Sequence, residues 1–153
     1  MQILERIHFL SRADKLKPVR DAVRTLAQRM GCSVENIDCM VMAINEACMN
    51  VIQHAYGARE DGEVILEFWQ DGDDLVIRIH DFAEKVDKQN IKSRDLDDIR
   101  PGGLGVHLIH KMMDSVQYLD GTDGAGNMLQ MRKRIGVVRQ CVMVCGDEKK
   151  SQE

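Results

Sequence analysis

The sequence predicts an α+β fold, a two-layer sandwich with helices packed on one face of a mostly antiparallel sheet. Three observations lead there. Apolar residues recur at helical spacing in three separate stretches, beginning near Leu16, Ile37 and Leu104. Between the second and third, two alternating segments flank Gln70-Asp71-Gly72-Asp73, and Asp-Gly is a strong hairpin signal. Two more strand-like segments, Val116 to Leu119 and Met128 to Ile135, lie across a turn rich in glycine and aspartate.

Taken in order, Ile3, Ile7 and Phe9 against Arg6 and His8 give a first strand whose alternation is spoiled at Leu4 and Glu5. Ser11 and Asp14 are placed to cap a helix carrying Leu16, Val19, Val23, Leu26, Ala27 and Met30, and Gly31 supplies its stop. Ser33 is the expected N-cap of a long second helix with Ile37, Met40, Val41, Ile44, Ala47, Cys48, Val51, Ile52 and Ala55 on its apolar face. Tyr56-Gly57 ends it. The hairpin follows, with Glu63 to Trp69 and Asp74 to His80 as its strands and Asp81 at its exit. Residues 84 to 101 are polar with few apolar anchors, which fits a functional lid better than a packed element. Gly103 to Met113 is the third helix. No repeat or linker interrupts the chain, so 1–135 is expected to be one domain. Residues 136–153 are read as an edge strand (Val137 to Val144) and a solvated tail.

Composition narrows the function. At 153 residues the chain is long enough for one core, and 44% hydrophobic with 30% charged residues is ordinary for a globular protein. A net charge of −4 argues against a general nucleic-acid binder, since neutralising phosphates needs a basic surface. No apolar run approaches the roughly 20 residues of a membrane helix. The N-terminus has no basic start, apolar centre and cleavage site of a signal peptide. Five cysteines without a paired framework fit a reducing compartment, so a cytoplasmic protein is expected.

Two motifs carry chemistry. Glu46, Asn50 and His54 are spaced four apart on the long helix, which stacks them on one stripe. A carboxylate, a carboxamide and an imidazole together can handle a proton and a hard metal ion, although exposed polarity alone also explains them. About fifty residues later, Arg100-Pro101-Gly102-Gly103-Leu104-Gly105 is a glycine-rich turn leading into the third helix. Such a turn lets backbone approach a phosphate and leaves N–H groups free at the helix start. The pair suggests a nucleotide site.

From Leu4 to Lys133 the order of these parts resembles the ATP-binding domain shared by histidine kinases, gyrase, MutL and heat-shock chaperones, the Bergerat fold. Within it the chain is most similar to the anti-sigma factor serine kinases of bacterial partner switching. The N box stands here as Asn45-Glu46-Ala47-Cys48-Met49-Asn50 with His54-Ala55-Tyr56, the first glycine box as Asp81-Phe82-Ala83, and the second as Gly102-Gly103-Leu104-Gly105-Val106-His107-Leu108-Ile109. Gly126 to Lys133 resembles the family's last strand. Three boxes in order are a strong signal where one alone is weak.

The resemblance implies ATP and Mg²⁺ as cofactors. Asn50 becomes the Mg²⁺ ligand, as suits a hard ion that keeps most of its waters. Glu46 becomes the general base for a serine or threonine hydroxyl. Asp81 becomes the acceptor for the exocyclic amine of adenine. His54, Ala83, Arg100, Gly102, Gly103, Leu104, Gly105 and Val106 complete the nucleotide contacts, with Arg100 towards a terminal phosphate, although a capping or core histidine equally explains His54. Ala83 departs from the family's glycine, and because alanine penalises positive φ, the loop is expected to differ there. The implied partners are an anti-anti-sigma protein as substrate and a sigma factor or other effector, commonly held by homodimers; neither nucleic acid nor membrane is expected. A non-catalytic ATP-binding module, or an ATPase using water, are the alternatives. His107 and His110 share a helix face without a carboxylate at ligand spacing and are read as packing or surface residues. Cys141 and Cys145 are in phase on the last strand and are read as buried, with a redox pair as the alternative, and Asp95 to Asp98 as a solvated lid face.

Overall fold

The computed structural model describes residues 1–84, 101–122 and 126–135, with 101–105 described by backbone alone. The elements are β1 (Gln2–Leu10), a 3₁₀ turn (Ala13–Lys15), α1 (Leu16–Arg29), α2 (Val34–Asn50) continued by a π-helical turn (Val51–Ala55), β2 (Glu63–Asp71), β3 (Asp74–Asp81), α3 (Pro101–Met112), β4 (Ser115–Asp120) and β5 (Asn127–Arg134). The five strands form one sheet in the order β1-β2-β3-β5-β4, and every neighbouring pair is antiparallel. The expected α+β sandwich is the observed fold.

The strand alternation separates two faces. On one, Val64, Leu66 and Phe68 of β2 pair with Asp81, Ile79 and Ile77 of β3, which in turn pair with Asn127, Leu129 and Met131 of β5. This face carries the core: Leu66, Phe68, Ile77, Ile79 and Met131 are at most 1% exposed, as are Met40, Ile44 and Ile109 of the helices covering it. The helix α2 packs against both α1 and α3. Removing an apolar side chain at such a position costs about 2–5 kcal/mol.

Several local signals read true. Ser33 caps α2, its hydroxyl accepting from Asn36 N–H at 3.1 Å. At the end of α1, Gly31 adopts φ of 74°, Cys32 N–H donates to Ala27 C=O at 3.1 Å and Gly31 N–H to Gln28 C=O at 3.0 Å. This is the Schellman closure, and it needs glycine at that position. Gly72, with φ of 60°, holds the first place of the two-residue turn between β2 and β3.

The start of α1 differs from expectation. Neither Ser11 nor Asp14 caps it; its N-cap is Lys15, without a side-chain cap. Ser11 is instead buried, donates from its hydroxyl to Arg59 C=O and accepts from Gly62 N–H at 3.0 Å. Its own N–H donates to Gly62 C=O at 2.8 Å. The buried backbone of Gly62 needs those partners, and that need outweighs a solvent-accessible helix end. Asp14 pairs with Arg12 at 3.0 Å. Val137 to Val144, Cys141, Cys145 and Asp95 to Asp98 lie outside the described residues.

Candidate functional site

Asp81 is the last residue of β3 and lies on the helix-covered face, 5% exposed. Its Oδ1 accepts from Asn127 Nδ2 at 2.9 Å and from Ala83 N–H at 3.1 Å. Its Oδ2 has no partner among the described residues. Burial pushes its carboxyl above the ordinary carboxylate range, against the hydrogen bonds from Asn127 and Ala83, which lower it. A buried acceptor left unmet costs about 1–3 kcal/mol unless something donates to it. The spare oxygen fits a donor such as an exocyclic amine.

The loop after Asp81 is held from β5. Gly126 N–H donates to Asp81 C=O at 2.7 Å, and Asn127 Nδ2 also donates to Glu84 C=O at 3.0 Å. A Cβ on Gly126 would sit 1.8 Å from the Ala83 carbonyl oxygen, so no larger residue fits without moving the loop. The φ of Ala83 is not positive; among the described residues Ala58 alone, apart from glycines, has φ above zero. The loop here therefore does not call on the positive φ that alanine penalises.

Glu46 and Asn50 lie one turn apart near the end of α2, and both side chains are half-buried. Beyond Asn50 the helix widens into the π-turn, where Tyr56 N–H donates to Val51 C=O at 3.0 Å. Each residue there turns through a smaller angle than in an α-helix, so His54 still follows Asn50 by about one turn. Glu46 and Asn50 are half-buried, whereas His54 is exposed.

Tyr56 joins this helix to Asp81. Its hydroxyl donates to Glu63 C=O at 2.6 Å and accepts from Phe82 N–H at 2.7 Å. Burial raises the Tyr56 hydroxyl above its usual pKa, which keeps the proton that Glu63 receives. The ring lies against Gly62, where a Cβ would meet it at 2.6 Å. Sequence reasoning placed Tyr56 only at the helix end and the close of the N box, and Asn127 only at the end of a turn and in the last strand, with no role at Asp81 for either. A buried tyrosine that needs a hydroxyl partner, and a polar residue opening an otherwise strand-like run, were the available signals.

The glycine-rich turn is the first turn of α3 rather than a loop before it. Pro101 is the first residue, where its missing N–H costs nothing, and Gly102, Gly103 and Leu104 have backbone N–H groups beyond the reach of intrahelical acceptors. Gly105 continues the helix, and Val106 is half-buried. Arg100 and most of the expected lid lie outside the described residues. No group of three metal-binding side chains occurs among the described residues. A single carboxamide ligand does not depend on such a group, because Mg²⁺ retains waters and phosphate oxygens.

The family model described as histidine kinase-like ATPase domain matches residues 9–133. A serine-protein kinase RsbW of Bacillus cereus is 33% identical over 118 residues, covering 71% of this chain and 72% of its own. A serine-protein kinase RsbW of Oceanobacillus iheyensis is 34% identical over 118 residues, covering 72% and 73%. A crystal structure of the RsbU and RsbW domains of a Mycobacterium tuberculosis protein superposes with a TM-score of 0.62 at 15% identity. That superposition covers 88% of this chain and 33% of the other, and at such low identity it speaks for the fold alone.

Proposed function

The chain belongs to the histidine kinase-like ATPase domain family, among its serine-protein kinases of the anti-sigma factor type, and from that premise we propose how its residues divide the work. ATP is the phosphoryl donor, bound between α2 and the start of α3. Asp81 Oδ2 accepts the hydrogen bond of the adenine amine. Asn50 holds Mg²⁺ through its amide oxygen, and the ion supplies charge neutralisation at the phosphates. The backbone N–H groups of Gly102, Gly103 and Leu104 face the phosphates. Glu46 takes the proton of a serine or threonine hydroxyl while that oxygen bonds to the γ-phosphorus and the bond to the β-phosphate oxygen breaks, releasing ADP.

The substrate is an anti-anti-sigma protein, and a sigma factor or other effector is the second partner, held by a homodimer in the cytoplasm. The observation that carries the nucleotide reading is Asp81, a buried carboxylate with one oxygen satisfied twice and the other unmet among the described residues. The test mixes the protein with radiolabelled ATP and a candidate antagonist. Label on the antagonist, lost with Glu46→Gln and with Asn50→Ala, is the expected result. ATP binding without labelled protein points to a binding module, and steady phosphate release without an antagonist points to an ATPase.

A further inference from the structure

The side chain of Asn127 spends both amide hydrogens on the loop that carries Asp81: one on Asp81 Oδ1 at 2.9 Å, the other on Glu84 C=O at 3.0 Å. Its backbone neighbour Gly126 donates to Asp81 C=O at 2.7 Å and lies so close to Ala83 that no Cβ fits. In register, Asn127 stands directly opposite Asp81 across the β3–β5 ladder. The amide therefore reaches its neighbour's carboxylate from the adjoining strand and fixes which oxygen is occupied.

We propose that Asn127 is a positioning residue for base selection: it pins Asp81 Oδ1 and so presents Oδ2 as an acceptor that favours a 6-amino purine over a 6-oxo purine. An adenine amine donates to that oxygen, whereas the carbonyl of a 6-oxo base sets two acceptors against each other. Without the amide, Asp81 keeps only the Ala83 N–H, and its carboxyl can turn either oxygen, or neither, towards the base. The inference rests on the adenine reading given to Asp81 above.

The experiment titrates Mg-ATP and Mg-ITP into the wild-type protein, Asn127→Ala, Asn127→Ser, Asp81→Asn and the Asp81→Asn/Asn127→Ala double variant, with each variant's melting temperature recorded. Asn127→Ala is expected to weaken ATP about tenfold and leave ITP nearly unchanged, so the preference collapses; a hydrogen bond to a charged group is of that size. Asn127→Ser, which keeps one donor in place of two, falls between. In the Asp81→Asn background the Asn127 change has no further effect on ATP. Equal weakening of both nucleotides by both variants, or an unchanged ratio, overturns the proposal. If Asp81→Asn itself leaves ATP binding intact, the adenine reading is what fails, and the proposal falls with it.

Discussion

Glu67 and Asp81 are two buried carboxylates of one sheet, 6% and 5% exposed, yet they are held in opposite ways. Asp81 lies on the face covered by helices; Glu67, on β2, lies on the other face with Arg6, Trp69 and His80. Glu67 Oε1 accepts from Arg6 Nε at 3.0 Å and Nη2 at 2.7 Å, and Oε2 accepts from Trp69 Nε1 at 3.0 Å and contacts His80 Nε2 at 3.2 Å. An ionised carboxylate cannot donate, so His80 Nε2 carries the hydrogen. Burial pushes Glu67 up, but the hydrogen bonds from Trp69, His80 and Arg6 overcome it and hold the carboxyl below its ordinary range. Burial wins at Asp81 and loses at Glu67. Fully met, a buried carboxylate is architecture; half met among the described residues, it keeps an acceptor to spare.

The largest expected effect breaks the architectural side. Glu67→Ala strands the Trp69 and His80 donors in a buried site and should cost about 3 kcal/mol in urea unfolding, while ATP affinity of the folded protein stays at the wild-type value. A matching loss of affinity would erase the distinction. Next, Asp81→Asn should weaken ATP binding by about 30-fold or more while the melting temperature at neutral pH holds or rises, because it removes a buried charge without removing the acceptor for Asn127 and Ala83.

The pH dependence sharpens the contrast because the two signs oppose. Glu67 is depressed in the folded state, so its contribution is full at neutral pH and is lost as pH falls through its folded value. Asp81 is raised, so its contribution is full in acid and is lost as pH rises through its folded value. Between about pH 3 and 7, urea unfolding should show the Glu67→Gln deficit growing with pH and any Asp81→Asn advantage growing too. The smallest effect is expected at Tyr56. Tyr56→Phe leaves Phe82 N–H without its acceptor, costs about 1 kcal/mol, and weakens ATP several-fold by loosening the tie between α2 and Asp81.

Much of this was legible in the chain, and the illegible parts share a cause. Helix faces, the Ser33 cap, the Gly31 stop and the hairpin turn are local, so spacing and residue type revealed them. The broken alternation at Leu4 and Glu5 was legible too, though not its meaning: the β1–β2 register shifts between Ile3 and Glu5, a bulge that sends Ile3 and Ile7 to different faces. What escaped depends on distant partners. Ser11 answers to Arg59 and Gly62, Tyr56 to Glu63 and Phe82, and Asn127 to Asp81 and Glu84. The π-turn after Asn50 has no signature in apolar spacing, since one widened turn shifts the phase without breaking the pattern.

The bulge in β1 bears on how the protein behaves at high concentration. Among the described residues β1 is an outer strand of the sheet, and it carries exposed Ile3 and Leu10. A straight nine-residue edge with such side chains is a template on which a second molecule can zip up. The kink between Ile3 and Glu5 cuts that template into two short lengths, with Glu5 and Arg6 at the join. Deleting one residue there would restore a continuous edge, and the resulting protein should precipitate at concentrations the parent tolerates.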